Sequence, residues 1–288
     1  MTSNVEAHIP IQPPLRGFVP VIQQLLLVPE GIIIALLLLV HLASGRSSVT
    51  IILAAVFIMS FITRTVALHL ARTAIEMVHY RQATWLIRLS LLLHPWSADT
   101  LALRGALALA KGSLSEAETS LQRSVTLLFN QPASHAALSS AYLESGRPHE
   151  AARAARQSLV LNDHYALAYL YLAEAERAQG ASSYVVEEHL RSGVAAAHRI
   201  TDTAALQCAL ARHLLNEQRI AEATLVLHSA EKLLPRCSIS RQAELCFHLG
   251  ELLIAQGQAE RAREYFRGVE NLDPQGRYAA AAWRASRL

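Results

Sequence analysis

The sequence has little charge, few aromatic residues and little glycine or proline. Charged side chains make up 17% of its 288 residues and aromatic side chains 6%, with 12 glycines and 10 prolines. This composition excludes a collagen-like or low-complexity chain and favours helices. Lysine is almost missing, because only Lys111 and Lys232 among the 26 basic residues are lysines. The net charge of +3 is too small to indicate nucleic acid as a partner.

Cysteine is also scarce. The chain has three cysteines, Cys208, Cys237 and Cys246, and an odd number without paired spacing indicates no disulfide framework. The spacing Cys237-x8-Cys246-x-His248 is not one that zinc sites use, and there is no second pair. We expect three reduced thiols packed in or beside helices, and no metal site.

Catalytic motifs are missing as well. The sequence has no glycine-rich phosphate loop and no serine nucleophile motif, and no second histidine follows His149-Glu150 at helical spacing. Its 13 histidines share no helical face that we can identify. An enzyme needs catalytic groups that converge in a pocket. We therefore expect neither enzymatic activity nor a bound cofactor.

Hydrophobic side chains are in excess, at 52% of the chain, and they are concentrated in residues 18–68. Two nearly uncharged runs, residues 29–44 and 49–68, are separated by a short turn, residues 45–48. A helix of about 20 apolar residues spans a bilayer, so the pattern predicts a transmembrane helical hairpin. The alternative is a pair of buried core helices in a soluble protein, which two runs this close together disfavour.

The segments before the hairpin have a different character. Residues 1–17 are polar and contain three prolines, which predicts a disordered N-terminal tail. Residues 18–28 predict a helix that either joins the span or lies in the membrane interface. No basic cluster precedes a short apolar run with a cleavage site, so we do not expect a signal peptide.

Basic residues predict how the hairpin is oriented, because cytoplasmic flanks of spans carry an excess of arginine and lysine. The turn holds Arg46, whereas the outer flanks hold Arg16, Arg64, Arg72 and Arg81. This asymmetry favours both ends in the cytoplasm. We expect an integral protein of the inner or plasma membrane whose remaining residues lie on the cytoplasmic side.

Beyond the hairpin the pattern becomes amphipathic and repeats with a period of about 34 residues, a length typical of stacked helix pairs. Small apolar residues recur at this spacing, and two more follow with short insertions: Ala83, Ala117, Ala151, Val185, then Ala223 and Ala262. Glycines just before three of them keep the same spacing: Gly112, Gly146 and Gly180. A regular period of this kind indicates a solenoid.

Residues 243–274 carry the period most clearly. The signature residues in this stretch are Leu249-Gly250, Gly257, Ala262, Phe266 and Pro274. Residues of these types at these spacings resemble a tetratricopeptide repeat (TPR), a helix–turn–helix of about 34 residues. Cys246 and Leu253 depart from the pattern, since they stand where tryptophan and tyrosine are usual, but both are apolar and preserve the packing.

The resemblance implies an all-α solenoid of about five full repeats and one partial repeat. The full repeats, residues 98–274, start near five positions: Ala98, Pro132, Ala166, Ala204 and Ala243. The partial repeat, residues 64–97, shares its first helix with the second span, which predicts one continuous helix over 49–79. Residues 275–288 predict a C-terminal capping helix, with Tyr278 and Trp283 facing inward, because the end of a solenoid otherwise exposes an apolar face.

In this family the first helix of each repeat lines a concave groove, and the resemblance implies which residues do so. The groove is expected to be apolar in the first two full repeats and polar in the last three. The candidate partner-binding residues are Tyr171, Glu174, Arg177, Arg212, Asn216, His248 and Glu251. Arg177 and Arg212 are candidate anchors for an acidic peptide, with ordinary solvated arginines as the alternative. The lysine and asparagine clamp that some members use is not expected, since alanines such as Ala102, Ala106 and Ala137 occupy its positions.

Two hypotheses for function follow. The first is a membrane-anchored scaffold that binds a protein or peptide partner in the groove, with residues 18–68 in the lipid bilayer. The second is a structural or assembly subunit of a membrane complex, held to other membrane proteins mainly through the hairpin. Glu30 and His41 motivate it, because polar groups within a membrane often contact a protein partner.

Overall fold

The computed structural model describes residues 33, 36–37, 39–42 and 48–287. Residues 48–287 form helices joined by turns and contain no strand, which confirms the predicted all-α solenoid. The α-helices are α1 (Ser48–Glu76), α2 (Tyr80–Leu93), α3 (Ala98–Ala110), α4 (Leu114–Leu127), α5 (Pro132–Glu144), α6 (Pro148–Leu161), α7 (Ala166–Ala178), α8 (Ser183–Ala196), α9 (Ile200–Asn216), α10 (Ile220–Leu233), α11 (Ile239–Ala255), α12 (Ala259–Leu272) and α13 (Ala279–Ala285). The tail 1–17, the segment 18–28, most of the first span and the turn 45–47 lie outside the described residues.

Consecutive helices form pairs, and each pair packs on the next. The fourth residue of every second helix is buried between its own partner and the neighbouring pair: Ala83, Ala117, Ala151, Val186, Ala223 and Ala262. The predicted series is therefore wrong by one residue at Val185. Because α8 begins at Ser183, one residue later than the regular repeat spacing predicts, Val186 faces the core instead.

Close approach of the two helices in a pair depends on a small residue in the first. A Cβ placed on Gly250 would lie 2.6 Å from Cε1 of Phe266, well inside van der Waals contact. Phe266 itself is almost completely buried in the core cluster of the last repeats. Gly250 therefore lets the two helices of this pair approach each other, and Phe266 fills the space beside it.

The turn within each pair needs one residue with positive φ. Glycine supplies it at Gly112, Gly146, Gly180 and Gly257, with φ between 71° and 80°. Gln218 and Val78 take the same conformation at φ 62° and 64°. Val78 stands one repeat length before Gly112, so the first pair keeps the register of the others although its sequence has no glycine there.

The insertions in the last two repeats extend helices. The first helices α9 and α11 have 17 residues each, whereas α3, α5 and α7 have 13. The difference is about one helical turn, so the added turn keeps the core-facing side in place. Helices α9 and α11 consequently start at Ile200 and Ile239 rather than near Ala204 and Ala243.

Helix α1 runs without a break from Ser48 to Glu76. Among the described residues it is the one helix with the length and composition to cross a membrane, with a mean hydropathy of 2.2 over its most apolar 18 residues. In its last part Ala71 and Ala74 are buried against the array. Arg64 does not extend towards solvent or headgroups as a snorkelling residue does, because it is only 5% exposed.

The C-terminal segment folds back onto the last pair. Helix α13 packs on α12 with Ala282 fully buried, and the ring of Tyr278 stacks on Phe247 at a centroid distance of 4.8 Å. Trp283 is 47% exposed, so the expectation that it faces inward is wrong. It instead lies beside the Arg287 guanidinium, 4.0 Å from the ring centroid.

We predict that Gln218→Gly stabilises the fold by about 1 kcal/mol, because a left-handed conformation costs an L residue roughly that much. Gly180→Ala should destabilise it by a similar amount through the backbone alone, since the added methyl would meet no atom within 4 Å. Thermal unfolding of the detergent-solubilised chain, followed by circular dichroism, measures both. Melting temperatures unchanged in both variants would contradict the backbone argument.

Candidate functional site

The array curls until its last repeat contacts its first. Tyr80 Oη, at the start of α2, donates a hydrogen bond of 2.5 Å to Asp273 Oδ2, just after α12. The backbone N–H of Arg277 donates to the carbonyl oxygen of Ala110 at 3.0 Å. Helices α1 and α11 also contact each other directly. These contacts join the two ends of the array across its concave face, which we call the channel.

Arg277 is the central residue of this closure. Its guanidinium forms an ion pair with Glu144 from α5 and a second one with Glu244 from α11 at 3.1 Å. Burial alone lowers the pKa of Arg277, but the carboxylates Glu244 and Glu144 outweigh it and the net pKa is raised. One side chain thus joins the second full repeat to the fifth.

The carboxylates that face Arg277 differ in their electrostatics. Burial raises the pKa of Glu244, but the guanidiniums of Arg241, 2.6 Å away, and Arg277 outweigh it, and the net pKa is lowered. Burial also raises the pKa of Glu144, and Arg277 offsets this only in part, so the net pKa stays raised. Glu244 is thus held by two cations, whereas Glu144 depends mainly on Arg277.

Two cavities lie on the concave face, of about 340 and 270 Å³. Five lining residues are common to both and stand between them: Ser140, Tyr171, Glu244, Arg277 and Tyr278. The larger cavity is lined mainly by α5, α7, α9 and α11, and the smaller one also reaches Ile75 of α1. The chain's own Arg277 and Tyr278 therefore occupy the middle of the channel.

The structure brings five of the seven predicted site residues to the larger cavity: Tyr171, Glu174, Arg177, Arg212 and His248. Asn216 and Glu251 are exposed and do not line it. Asn216 ends α9, and Glu251 reaches the cavity only through His248, whose Nδ1 lies 3.1 Å from its carboxylate. The ring nitrogen Nε2 of His248 is 3.3 Å from Tyr278 Oη.

Arg177 and Arg212, the candidate anchors, share one carboxylate. Glu174 forms an ion pair with Arg177 and another with Arg212 at 2.5 Å. Burial alone raises the pKa of Glu174, but the two guanidiniums outweigh it and the net pKa is lowered. An acidic ligand would thus have to compete with Glu174, because the site is a cluster of two guanidiniums and one carboxylate rather than a free pair of cations.

The expected change from apolar to polar lining along the groove holds only for the surface that the first two full repeats contribute to the smaller cavity. Residues of the first two full repeats that line the smaller cavity are small or apolar, among them Ala106, Leu109 and Ala137. Closure places Arg241, Glu244 and Asp273 of the last repeat in the same cavity. Both cavities therefore combine apolar and charged lining.

Sequence reasoning missed three of the charged residues that define the channel. Glu244 and Glu144 stand at the second and thirteenth positions of their repeats, and the family pattern places both positions on the concave face, so a signal was present. Arg277 follows the last repeat and has no counterpart in the period. Its role depends on how far the array curls, which the repeat pattern does not specify.

The three cysteines are buried free thiols, as expected. Cys208 lines the larger cavity, and burial raises the pKa of its thiol to about 12. Burial likewise raises the pKa of Cys246 to about 11. At neutral pH both thiols are therefore protonated, and neither is a ready nucleophile or metal ligand.

The family model for the tetratricopeptide repeat matches residues 243–275, the stretch with the clearest signature. The other helix pairs repeat the same helix–turn–helix geometry and the same buried positions. Residues 243–275 are therefore a tetratricopeptide repeat, the last full unit in an array of similar helix pairs. A search of curated protein sequences gave no match.

Solved TPR structures resemble the array. The Cut9–Hcn1 hetero-tetramer of the APC/C superposes with a TM-score of 0.57 at 17% identity over 75% of this chain, which spans only 42% of that chain. PilW, a type IV pilus biogenesis factor, gives a TM-score of 0.53 at 17% identity, and the match covers 76% of this chain and 98% of the PilW chain. PilF of Pseudomonas aeruginosa gives a TM-score of 0.50 at 13% identity, and the match covers 78% of this chain and 98% of the PilF chain. Identities this low show a shared fold alone.

We predict that Arg277→Ala lowers the free energy of unfolding by about 3 kcal/mol, because it leaves Glu144 without its main cation and removes one of the two cations that hold Glu244. Chemical denaturation of the solubilised chain, followed by tryptophan fluorescence, measures the loss. In a chain that already carries Glu144→Gln and Glu244→Gln, Arg277→Ala should lower the free energy of unfolding much less, since neither position then has a carboxylate that loses its pairing with Arg277. Equal losses in the two backgrounds would show that Arg277 acts through packing and not through the ion pairs.

Proposed function

We propose that the protein is a membrane-anchored scaffold whose TPR channel binds another protein. The observation that carries this proposal is the continuity of α1, which is exposed and apolar in its first part and belongs to the array in its last part. A TPR array supports protein–protein interaction in general, because stacked repeats create an extended concave surface. A helix shared between bilayer and array would hold that surface at the membrane.

The exposed part of α1 supports insertion into a bilayer. Only 17% of its most apolar window is buried against the described residues, whereas the core helix of a soluble protein buries its apolar side chains. The exposed apolar residues are Val49, Ile51, Ile52, Leu53, Val56, Ile58, Met59, Ile62, Val66 and Leu70. A surface this apolar on all sides is suited to lipid.

One contact supports the hairpin. Nδ1 of His41, in the first apolar run, lies 2.9 Å from Oγ1 of Thr50 near the start of α1. A polar pair in a membrane-spanning hairpin satisfies both groups without an outside partner. The basic residues flanking the spans favour an array on the cytoplasmic side of the inner or plasma membrane.

The channel favours a peptide with both apolar and charged groups. Its lining supplies carboxylates at Glu144, Glu174 and Glu244 and guanidiniums at Arg177 and Arg212, beside the apolar Leu170, Leu245 and Leu252. Arginine recognises carboxylates in a bidentate geometry. An acidic side chain of a partner would exchange with Glu174 at this cluster.

Membrane anchoring has a direct test. The full chain should stay in the membrane fraction after high salt and alkaline carbonate and should leave it only in detergent. Val56→Arg with Met59→Arg should shift it out of the membrane, because each charge near the middle of the span costs roughly 3 kcal/mol on insertion. A matched control, Ile220→Arg with Leu225→Arg on the exposed face of α10, should stay bound. Release of the unaltered chain by salt alone would contradict anchoring.

Channel binding is tested by crosslinking in native membranes followed by mass spectrometry. Arg177→Gln with Arg212→Gln should reduce capture of a partner at least tenfold, since charge-assisted hydrogen bonds contribute about 1.5–3 kcal/mol each. Arg123→Gln with Arg267→Gln removes the same charge from exposed positions on second helices and should leave capture unchanged. Equal capture by both double variants would rule the two arginines out.

The second hypothesis, an assembly subunit held through the hairpin, predicts a different result from a fragment of residues 63–288. This fragment keeps Ala67, Ala71 and Ala74, which are buried and complete the first pair, and lacks most of the apolar span. If the soluble fragment retains the partner, the channel or another array surface binds it. Loss of the partner from a folded fragment would favour intramembrane assembly.

Two polar residues of the first span, Glu30 and His41, motivate this second hypothesis. The contact of His41 with Thr50 weakens the observation on His41, and Glu30 lies outside the described residues.

A further inference from the structure

Helix α2 exposes two kinds of side chain that rarely share a solvated face. Arg81, Trp85, Arg88 and Leu92 follow each other at intervals of three or four residues, so they lie on one side of the helix. Trp85 is 62% and Leu92 80% exposed, and Trp96 in the following turn is 65% exposed. The opposite side is buried in the array: Tyr80, Ala83, Ile87 and Ser90. Large apolar groups on an otherwise solvated face mark a contact surface.

The position of this surface relative to α1 indicates what it contacts. Helix α2 returns antiparallel to α1, and Nη1 of Arg64 donates to Oγ of Ser97 at 3.4 Å. Ser97 directly follows Trp96, so Trp96 lies at the level of Arg64 on α1. Arg64 comes 15 residues after Val49, or about 22 Å along the helix axis, against roughly 30 Å for the hydrocarbon layer.

Trp96 therefore lies where the apolar surface of α1 gives way to the array. Ile62 and Val66, on either side of Arg64, are about half exposed, so the apolar surface of α1 continues to this level. An indole ring prefers the boundary between acyl chains and headgroups, since it is apolar with one hydrogen-bond donor. Arg88, one helical turn before Leu92, is placed to pair with lipid phosphates.

We propose that Trp96, Leu92 and Arg88 dock in the interfacial layer of an anionic bilayer, as a second membrane contact beside α1. The proposal rests on the proposed membrane anchoring. A membrane-spanning helix can tilt in the bilayer, and an array that shares this helix is free to tilt with it. A second contact on a neighbouring helix removes this freedom and sets which side of the channel faces the membrane.

The geometry predicts how deep each side chain lies relative to the bilayer. Trp96 lies deepest, Leu92 and Arg88 follow, and Trp85 stands about 10 Å farther out than Leu92, since two turns of helix separate them. The C-terminal segment meets α2 at Tyr80, the end of α2 that is farthest from Trp96, so Trp283 on α13 should not touch the bilayer. The chain has only these three tryptophans, Trp85, Trp96 and Trp283, so each can be made the sole fluorophore.

The test uses three full-length variants reconstituted in phosphatidylcholine–phosphatidylglycerol vesicles. Trp85→Phe with Trp283→Phe leaves Trp96, and the other two pairs of replacements leave Trp85 and Trp283. Lipids brominated near the carboxyl end of the acyl chain should quench Trp96 at least twofold, with blue-shifted emission. Quenching of Trp85 should be weaker, and Trp283 should not be quenched.

Arg88 is tested in the variant that retains Trp96. Quenching should increase with the fraction of phosphatidylglycerol, and Arg88→Gln should abolish this dependence. Arg81→Gln is the matched control, since Arg81 lies on the same face of α2 but about 10 Å farther from the membrane end, and it should retain the dependence.

The outcomes separate this proposal from the proposed function. If the chain floats with the vesicles but Trp96 is quenched no more than Trp283, anchoring stands and the docking surface is overturned, which leaves this face open to a protein partner. If the chain does not float with the vesicles at all, anchoring fails and the docking surface fails with it. Quenching of Trp96 without any effect of Arg88→Gln would overturn the phosphate contact specifically.

Discussion

The ion pairs of Arg277 are the interaction on which the shape of this array depends. A solenoid built only from nearest-neighbour contacts has two free ends and an open concave face. Here a residue beyond the last repeat reaches Glu144 and Glu244, and its backbone bonds to Ala110 at the end of α3. Closure turns the groove into a channel with two cavities and places charged side chains of the last repeat opposite apolar ones of the first.

Closure also gives the first repeat an unusual environment. Its first helix, α1, packs against α2, contacts α11 of the last repeat, and continues into the segment that we assign to the bilayer. In most solenoids a polar capping face covers the first repeat, and in this chain the last repeat takes part of that role. A change in the apolar part of α1 would therefore affect both ends of the array, since α1 packs against the first repeat and contacts the last one.

The repeat register was predictable because packing imposes it on the sequence. A small residue is needed at the fourth position of each second helix, and a positive φ is needed in each turn, so Ala117, Gly112 and their counterparts recur. Where these signals fail, the prediction fails. The spacing predicts Val185 and not Val186 at the buried position, because both are valine and the turn before α8 is one residue longer than the turns in the preceding pairs. Val78 and Gln218 adopt positive φ without the glycine that would have revealed it. For the candidate site, the period selects five residues that line the larger cavity, whereas Asn216 and Glu251 are exposed and do not line it.

The sequence by itself determined the helix pairs, their order and the residues that each pair buries, because local periodicity and nearest-neighbour packing are written in the spacings of one helical turn and one repeat. The tertiary structure decided the curvature of the array, the contact of Asp273 with Tyr80 and the pairing of Glu174 with Arg212. Those contacts join residues far apart in the chain, and they depend on small rotations between successive pairs that accumulate along the array. No spacing in the sequence encodes that sum, so the channel and the residues that divide it are properties of the folded array.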